Sequence, residues 1–157
     1  MQQIRKTVEI HAPVEQVFNY LLEPTNLPEI WPSVVEVSNV ERSEDGTCSF
    51  DWTYKMAGMR FPGHYTQKVV SPKEYVEAQN ESGRVGIPSS FRWTYESKAG
   101  WCELTCEVDY TVPVPVLGRL AEVAAATVDD RDLETMLANV RHAIEVPVAK
   151  KQRAVGA

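Results

Sequence analysis

The sequence is short of the features that usually announce a chemistry. It holds three cysteines and three histidines. Cys48, Cys102 and Cys106 form no CxxC pair. Four strand residues at about 3.3 Å each would hold Cys102 and Cys106 roughly 13 Å apart, too far for a disulfide or for one zinc ion. They read as small buried hydrophobes in a reducing compartment. His11, His64 and His142 share no metal-ligand spacing, so no zinc or iron site is expected. Nucleophile elbow, phosphate loop and dinucleotide fingerprint are all missing. No serine or cysteine stands in a readable nucleophile context, which leaves covalent catalysis without support. No cofactor is expected.

Basic charge is scarce too. Lys and Arg number 16 against 22 Asp and Glu, a net charge of −6. Nucleic acids and anionic membranes need a basic footprint, so neither is expected as a partner. The longest apolar stretch, Val123 to Val128, falls far short of the roughly 20 residues of a membrane span. The opening MQQIRKTVEIHAP has no apolar segment of the kind a secretory signal carries. The expected location is cytoplasmic, and oligomeric state is left open.

What is there is ordinary globular usage: 157 residues, 43% apolar and 24% charged. One domain of this length buries roughly 70% of its unfolded surface and needs no disulfide or metal to hold it. Residues 3–11 alternate with Ile4, Val8 and Ile10 on one face, the mark of a strand. Pro13 then stands where a helix start tolerates it, and Val14, Val17, Phe18 and Leu21 make a helical stripe. The segment NLPEIW, among Pro24, Pro28 and Pro32, predicts a second short helix or turn. From Val34 to Val112 short turns separate six strands, favouring an antiparallel meander. Residues 116–146 read as helix. The domain is placed at 1–148, with a disordered polar tail at 149–157. The class is α+β, in the order β-α-α-β6-α.

The aromatic residues number 14, and strand parity sorts them. In 101–112, Cys102, Leu104, Cys106, Val108 and Tyr110 alternate with Glu103, Thr105, Glu107 and Asp109, so the sheet has one covered and one wet side. The same rule points Phe50, Trp52 and Tyr54 inward, then Phe61 and Tyr65, then Phe91, Trp93 and Tyr95. Tyrosine hydroxyls and indole N–H groups need partners when buried, whereas a plain core prefers Leu, Ile and Val. A ligand-lined face is the reading, against the simpler one that aromatics are good strand formers. Arg92, Lys98 and Glu107 fall on the outer face as ordinary solvated charges.

The last helix adds a second sign. Leu117, Leu120, Ala121, Ala124, Ala125 and Val128 share one side. The later stripe of Leu133, Met136, Leu137, Val140 and Ile144 is rotated from it by roughly 130°. One straight helix cannot bury both, so a break is expected within Thr127–Asp132. Small residues opposite large aromatics leave volume for a cavity. The plainer reading is alanine's helix propensity.

These segments resemble the polyketide cyclase/dehydrase family of the START-like, helix-grip superfamily. The resemblance runs over residues 3–146, through HAPVEQVFNYLLEPTNLPEIWP, GTCSFDWTY, VVSPKEYVEAQ, FRWTYESKAGWCELTCEVDYTVP and RDLETMLANVRHAIE. It implies a curved antiparallel sheet of about seven strands around a long C-terminal helix, with an apolar cavity between them. It also places Trp31 where the family has an entrance-side tryptophan. The expected function is binding of a small hydrophobic molecule, aromatic, polycyclic or lipid-like. The alternative is a cyclase, aromatase or dehydratase working by shape control, with a tyrosine moving protons or, were the last helix straight, a buried acid among Glu122, Asp129 and Asp130; a break in the helix, the favoured reading, leaves those acids as caps in water. Expected ligand contacts are Trp31, Phe50, Trp52, Tyr54, Tyr65, Phe91, Trp93, Tyr95, Cys106 and Tyr110, with Ala121, Ala124, Ala125 and Val128 opposite.

Overall fold

The computed structural model describes residues 2–56, 58–81, 87–111 and 130–156. Strand β1 (Gln2–Ile10) leads into helix α1 (Val14–Leu22), a 3-10 turn (Pro24–Asn26) and the short helix α2 (Leu27–Ile30). Six strands follow: β2 (Val34–Arg42), β3 (Cys48–Met56), β4 (Met59–Ser71), β5 (Tyr75–Glu81), β6 (Ser89–Ser97) and β7 (Cys102–Tyr110). A last helix, α3, spans Asp130–Gly156. The strands form one antiparallel sheet in the order β1-β7-β6-β5-β4-β3-β2. Only the first strand is out of sequence order, because β1 crosses over to pair with β7.

Local chemistry explains the helices at the sheet's mouth. Pro13 caps α1 in an extended conformation, with φ −60° and ψ 147°, and the stripe of Val14, Val17, Phe18 and Leu21 is buried. Pro24 and Pro28 stand at helix starts, where no amide hydrogen is needed. α3 inserts Leu133, Met136, Leu137, Val140 and Ile144 into the same core as the inward strand residues. It lies along β1 and α2, and Glu145 accepts a 2.6 Å hydrogen bond from the His11 backbone N–H.

Two sequence expectations differ from the structure. The helix, read as ending at 146, runs further. It continues to Gly156 through Ala149, Lys150, Lys151, Gln152 and Arg153, all strong helix formers. Arg92 and Glu107 are not ordinary solvated charges. Register puts Glu107 between Arg5 and Arg92, and the Arg92 guanidinium bonds Glu107 at 3.0 Å and Asp109 at 2.6 Å with all three side chains under 30% exposed. The expected helix break, and the alanine-rich face before it, lie outside the described residues. No described helix is long and apolar enough to cross a membrane.

Candidate functional site

The inner face of the sheet is an aromatic wall. Phe50, Trp52 and Tyr54 on β3, Phe61 and Tyr65 on β4, and Phe91, Trp93 and Tyr95 on β6 are all buried. Cys106 on β7 is fully buried beside them, while Tyr110 at the strand end is half-buried. Phe50, Trp52, Tyr54, Phe61, Tyr65 and Phe91 touch ring to ring in one network. Trp52 is its hub, meeting Phe50, Tyr54, Tyr65 and Phe91 at centroid separations of 4.9 to 6.1 Å. Such separations and tilts suit the quadrupoles of aromatic pairs.

Trp31, from the connection after α2, packs edge-on to Trp52, Phe91 and Trp93. It is 7% exposed. Of the expected contacts on described residues, Trp31, Phe50, Trp52, Tyr54, Tyr65, Phe91, Trp93, Tyr95 and Cys106 are buried in one core, and Tyr110 packs at its margin. Ala121, Ala124, Ala125, Val128, Glu122 and Asp129 lie outside them, as does the side chain of Asp130.

Buried polar groups in the wall are met by neutral partners. The Trp52 indole N–H donates to Asn80 Oδ1 at 2.8 Å, and Asn80 Nδ2 donates to the Ile87 carbonyl at 3.0 Å. The Ile87 backbone N–H donates to the Tyr54 hydroxyl at 2.7 Å. Trp93 Nε1 donates to the Tyr65 hydroxyl at 3.1 Å. No hydrogen bond joins the Tyr95 hydroxyl to any described residue; its ring packs edge-on to Phe18 at 5.3 Å.

Gly63 completes this arrangement. It sits opposite Trp52 in the ladder, and a Cβ there would collide with the Trp52 indole and Asn80 Oδ1. Glycine is needed because the indole-to-Asn80 bond crosses that space.

Burial decides what these groups can do. It pushes the Tyr65 and Tyr95 hydroxyls and the Cys106 thiol well above their ordinary values. They therefore stay protonated near neutral pH, able to donate a hydrogen bond but not to act as bases or thiolate nucleophiles. The buried polar residues among those described are Gln67, Asn80 and Thr105, none of them ionisable. No three His, Cys, Asp or Glu side chains among the described residues converge as a metal site requires.

The outer face carries a shallow cleft of about 410 Å³ lined in part by Ser38, Asp51, His64 and Glu81. There Asp51 accepts from His64 Nδ1 and Asn39 Nδ2, each at 2.8 Å. These two bonds hold its carboxyl below the usual range.

Sequence reasoning missed Asp132, whose carboxylate accepts 2.6 Å hydrogen bonds from the Trp31 indole and the Ser33 hydroxyl. It also missed Asn80, although an asparagine in the inward register of Val76 and Ala78 was a signal that something polar must meet it.

A search of curated proteins finds no sequence relative. Solved structures match in fold. A Thermus thermophilus protein superposes with TM-score 0.76 at 14% identity, over 91% of this chain and 97% of its own. A START superfamily protein from Mycobacterium smegmatis gives 0.73 at 16%, over 91% and 97%. An aromatase/cyclase from Streptomyces sp. R1128 gives 0.71 at 15%, over 94% and 95%. The family model described as polyketide cyclase / dehydrase and lipid transport matches residues 1–145, and the chain belongs to that family.

Proposed function

We propose that the protein binds a small hydrophobic molecule, aromatic, polycyclic or lipid-like, between the aromatic wall and the C-terminal segment. The observation that carries this reading is the wall itself. Eight inward rings on three strands, with hydroxyl and indole groups among them, offer broad apolar area and a few fixed polar atoms. That is the composition of ligand pockets rather than of aliphatic cores. Family membership agrees with it, since the family's description joins cyclisation with lipid transport.

Ala121, Ala124, Ala125 and Val128 form the opposite lining in this reading, small enough to leave room. Replacing Ala124 with Trp should then fill the site. Titration with N-phenyl-1-naphthylamine, a neutral probe that brightens in apolar surroundings, should show binding by the native chain and loss of it in Ala124→Trp. Equal binding by both would place the site elsewhere.

A second reading, a cyclase or aromatase acting by shape control, has one observation in its favour. The protonated Tyr95 hydroxyl, without a hydrogen bond to any described residue, is suited to hold a carbonyl oxygen while the wall folds the chain around it. Turnover lost in Tyr95→Phe with binding retained would support it, and its test requires a poly-ketone substrate.

A further inference from the structure

Asp132 joins two parts of the molecule that the sequence keeps far apart. It lies in the first described turn of α3, and each of its carboxylate oxygens accepts one hydrogen bond. One comes from the Trp31 indole N–H and one from the Ser33 hydroxyl, both at 2.6 Å. Pro32 stands between the two donors. Its ring fixes one backbone angle and disfavours a helical conformation for the residue before it. Trp31 accordingly sits at φ −108° and ψ 102°, which ends α2 and turns the chain toward β2. Two turns further along α3, Asn139 Nδ2 donates to the Ile30 carbonyl at 2.8 Å, so α3 grips this connection at two points.

The indole held in this way covers the middle of the wall. Its centroid lies 5.6 Å from Trp52, 5.6 Å from Phe91 and 6.5 Å from Trp93, with interplanar angles of 80° to 82°. Those three rings are fixed by strands β3 and β6. Trp31 belongs to no strand and comes from a short proline-flanked connection, so it can leave without breaking the sheet.

We propose that Trp31 is a lid over the centre of the aromatic wall and that Asp132 is its latch. The proposal rests on the ligand-binding reading above. A molecule stacked on Trp52, Phe91 and Trp93 takes the place of the indole, so it binds the form in which the latch is open. Closure lowers apparent affinity in proportion to the fraction of molecules that are closed. It also selects a chemical class. An opened latch leaves the Asp132 carboxylate without its indole donor, and a planar aromatic ligand bearing a phenolic O–H or ring N–H replaces both the ring and the hydrogen bond. An aromatic without such a donor replaces only the ring, and leaves a carboxylate short of a partner.

Two matched probes test this: 2-naphthol, which can donate, and 2-methoxynaphthalene, which cannot. Their affinities are read by quenching of the intrinsic tryptophan fluorescence. The native chain should prefer 2-naphthol by about tenfold, the scale expected when a charge-assisted hydrogen bond is gained or lost. Asp132→Ala removes latch and acceptor together. It should tighten 2-methoxynaphthalene by about tenfold and abolish the preference. Ser33→Ala weakens the latch without touching the helix and should tighten both probes by about threefold, preference intact. It keeps the test valid if Asp132→Ala fails to fold. Lower melting temperatures in the variants with unchanged affinities and no donor preference would overturn the latch and leave the ligand-binding reading standing. Failure of every form to bind either probe would overturn both.

Discussion

The two faces of the sheet are made by the same strands and solve the burial of polar groups in opposite ways. Inside, Trp52 and Asn80, Trp93 and Tyr65, and Tyr54 and Ile87 pair neutral donors with neutral acceptors. Outside, one residue along, Arg5, Glu107, Arg92 and Asp109 pair full charges across β1, β7 and β6. Depth accounts for the difference. A charge taken fully out of water loses more solvation than a partner returns, whereas a half-exposed one keeps part of its hydration. Among the described residues the sheet's inner face therefore holds polar atoms without holding charge, a suitable lining for an uncharged guest.

Breaking the inner face should cost most. Phe50 is fully buried and packs on both Trp52 and Tyr65, so Phe50→Ala should lower unfolding free energy by about 4 kcal/mol, measured by urea denaturation. Gly63→Ala comes next. Its methyl group enters the space of the Trp52–Asn80 bond, and a loss of about 2 kcal/mol is expected from overpacking. An unchanged midpoint would show that the indole can move aside at no expense.

The outer face should yield less. Arg92→Ala leaves Asp109 and Glu107 without their main partner but still in contact with water, so about 1 kcal/mol is expected. Acid sharpens the contrast. The Arg92 guanidinium beside Glu107 holds its carboxyl below the usual range. Stability from that pair is full above the unfolded carboxyl value of about 4.3, and is lost as pH falls through the lower folded value. The melting temperature of the native chain should thus fall more steeply than that of Glu107→Gln as pH drops from about 6 toward 3. Parallel slopes would mean that the ladder contributes no linkage.

Much of this was legible in the sequence because alternation has a period of two. It marked the six strands between Val34 and Val112 and turned Phe50, Trp52, Tyr54, Phe61, Tyr65, Phe91, Trp93 and Tyr95 to one side. What parity cannot carry is register. Arg92 was on the correct face, yet only the pairing of Arg92 with Glu107 turns a surface charge into a half-buried network. Trp31 and Asp132 are 101 residues apart, and no local pattern ties an indole to a carboxylate over that separation. Gly63 reads as a weak point in a strand until Trp52 is seen opposite it. The run of α3 past 146 was missed for a local reason, since no apolar stripe marks the residues of high helix propensity that continue it.

The central claim is that the inner face is a ligand wall rather than a packing core. Native mass spectrometry of the protein purified gently from its source tests it most directly. The account predicts a population heavier than the polypeptide by the mass of a small apolar molecule, released by organic solvent and displaced by added 2-naphthol. A single species at the mass of the polypeptide, unchanged after incubation with either naphthalene probe, would contradict it.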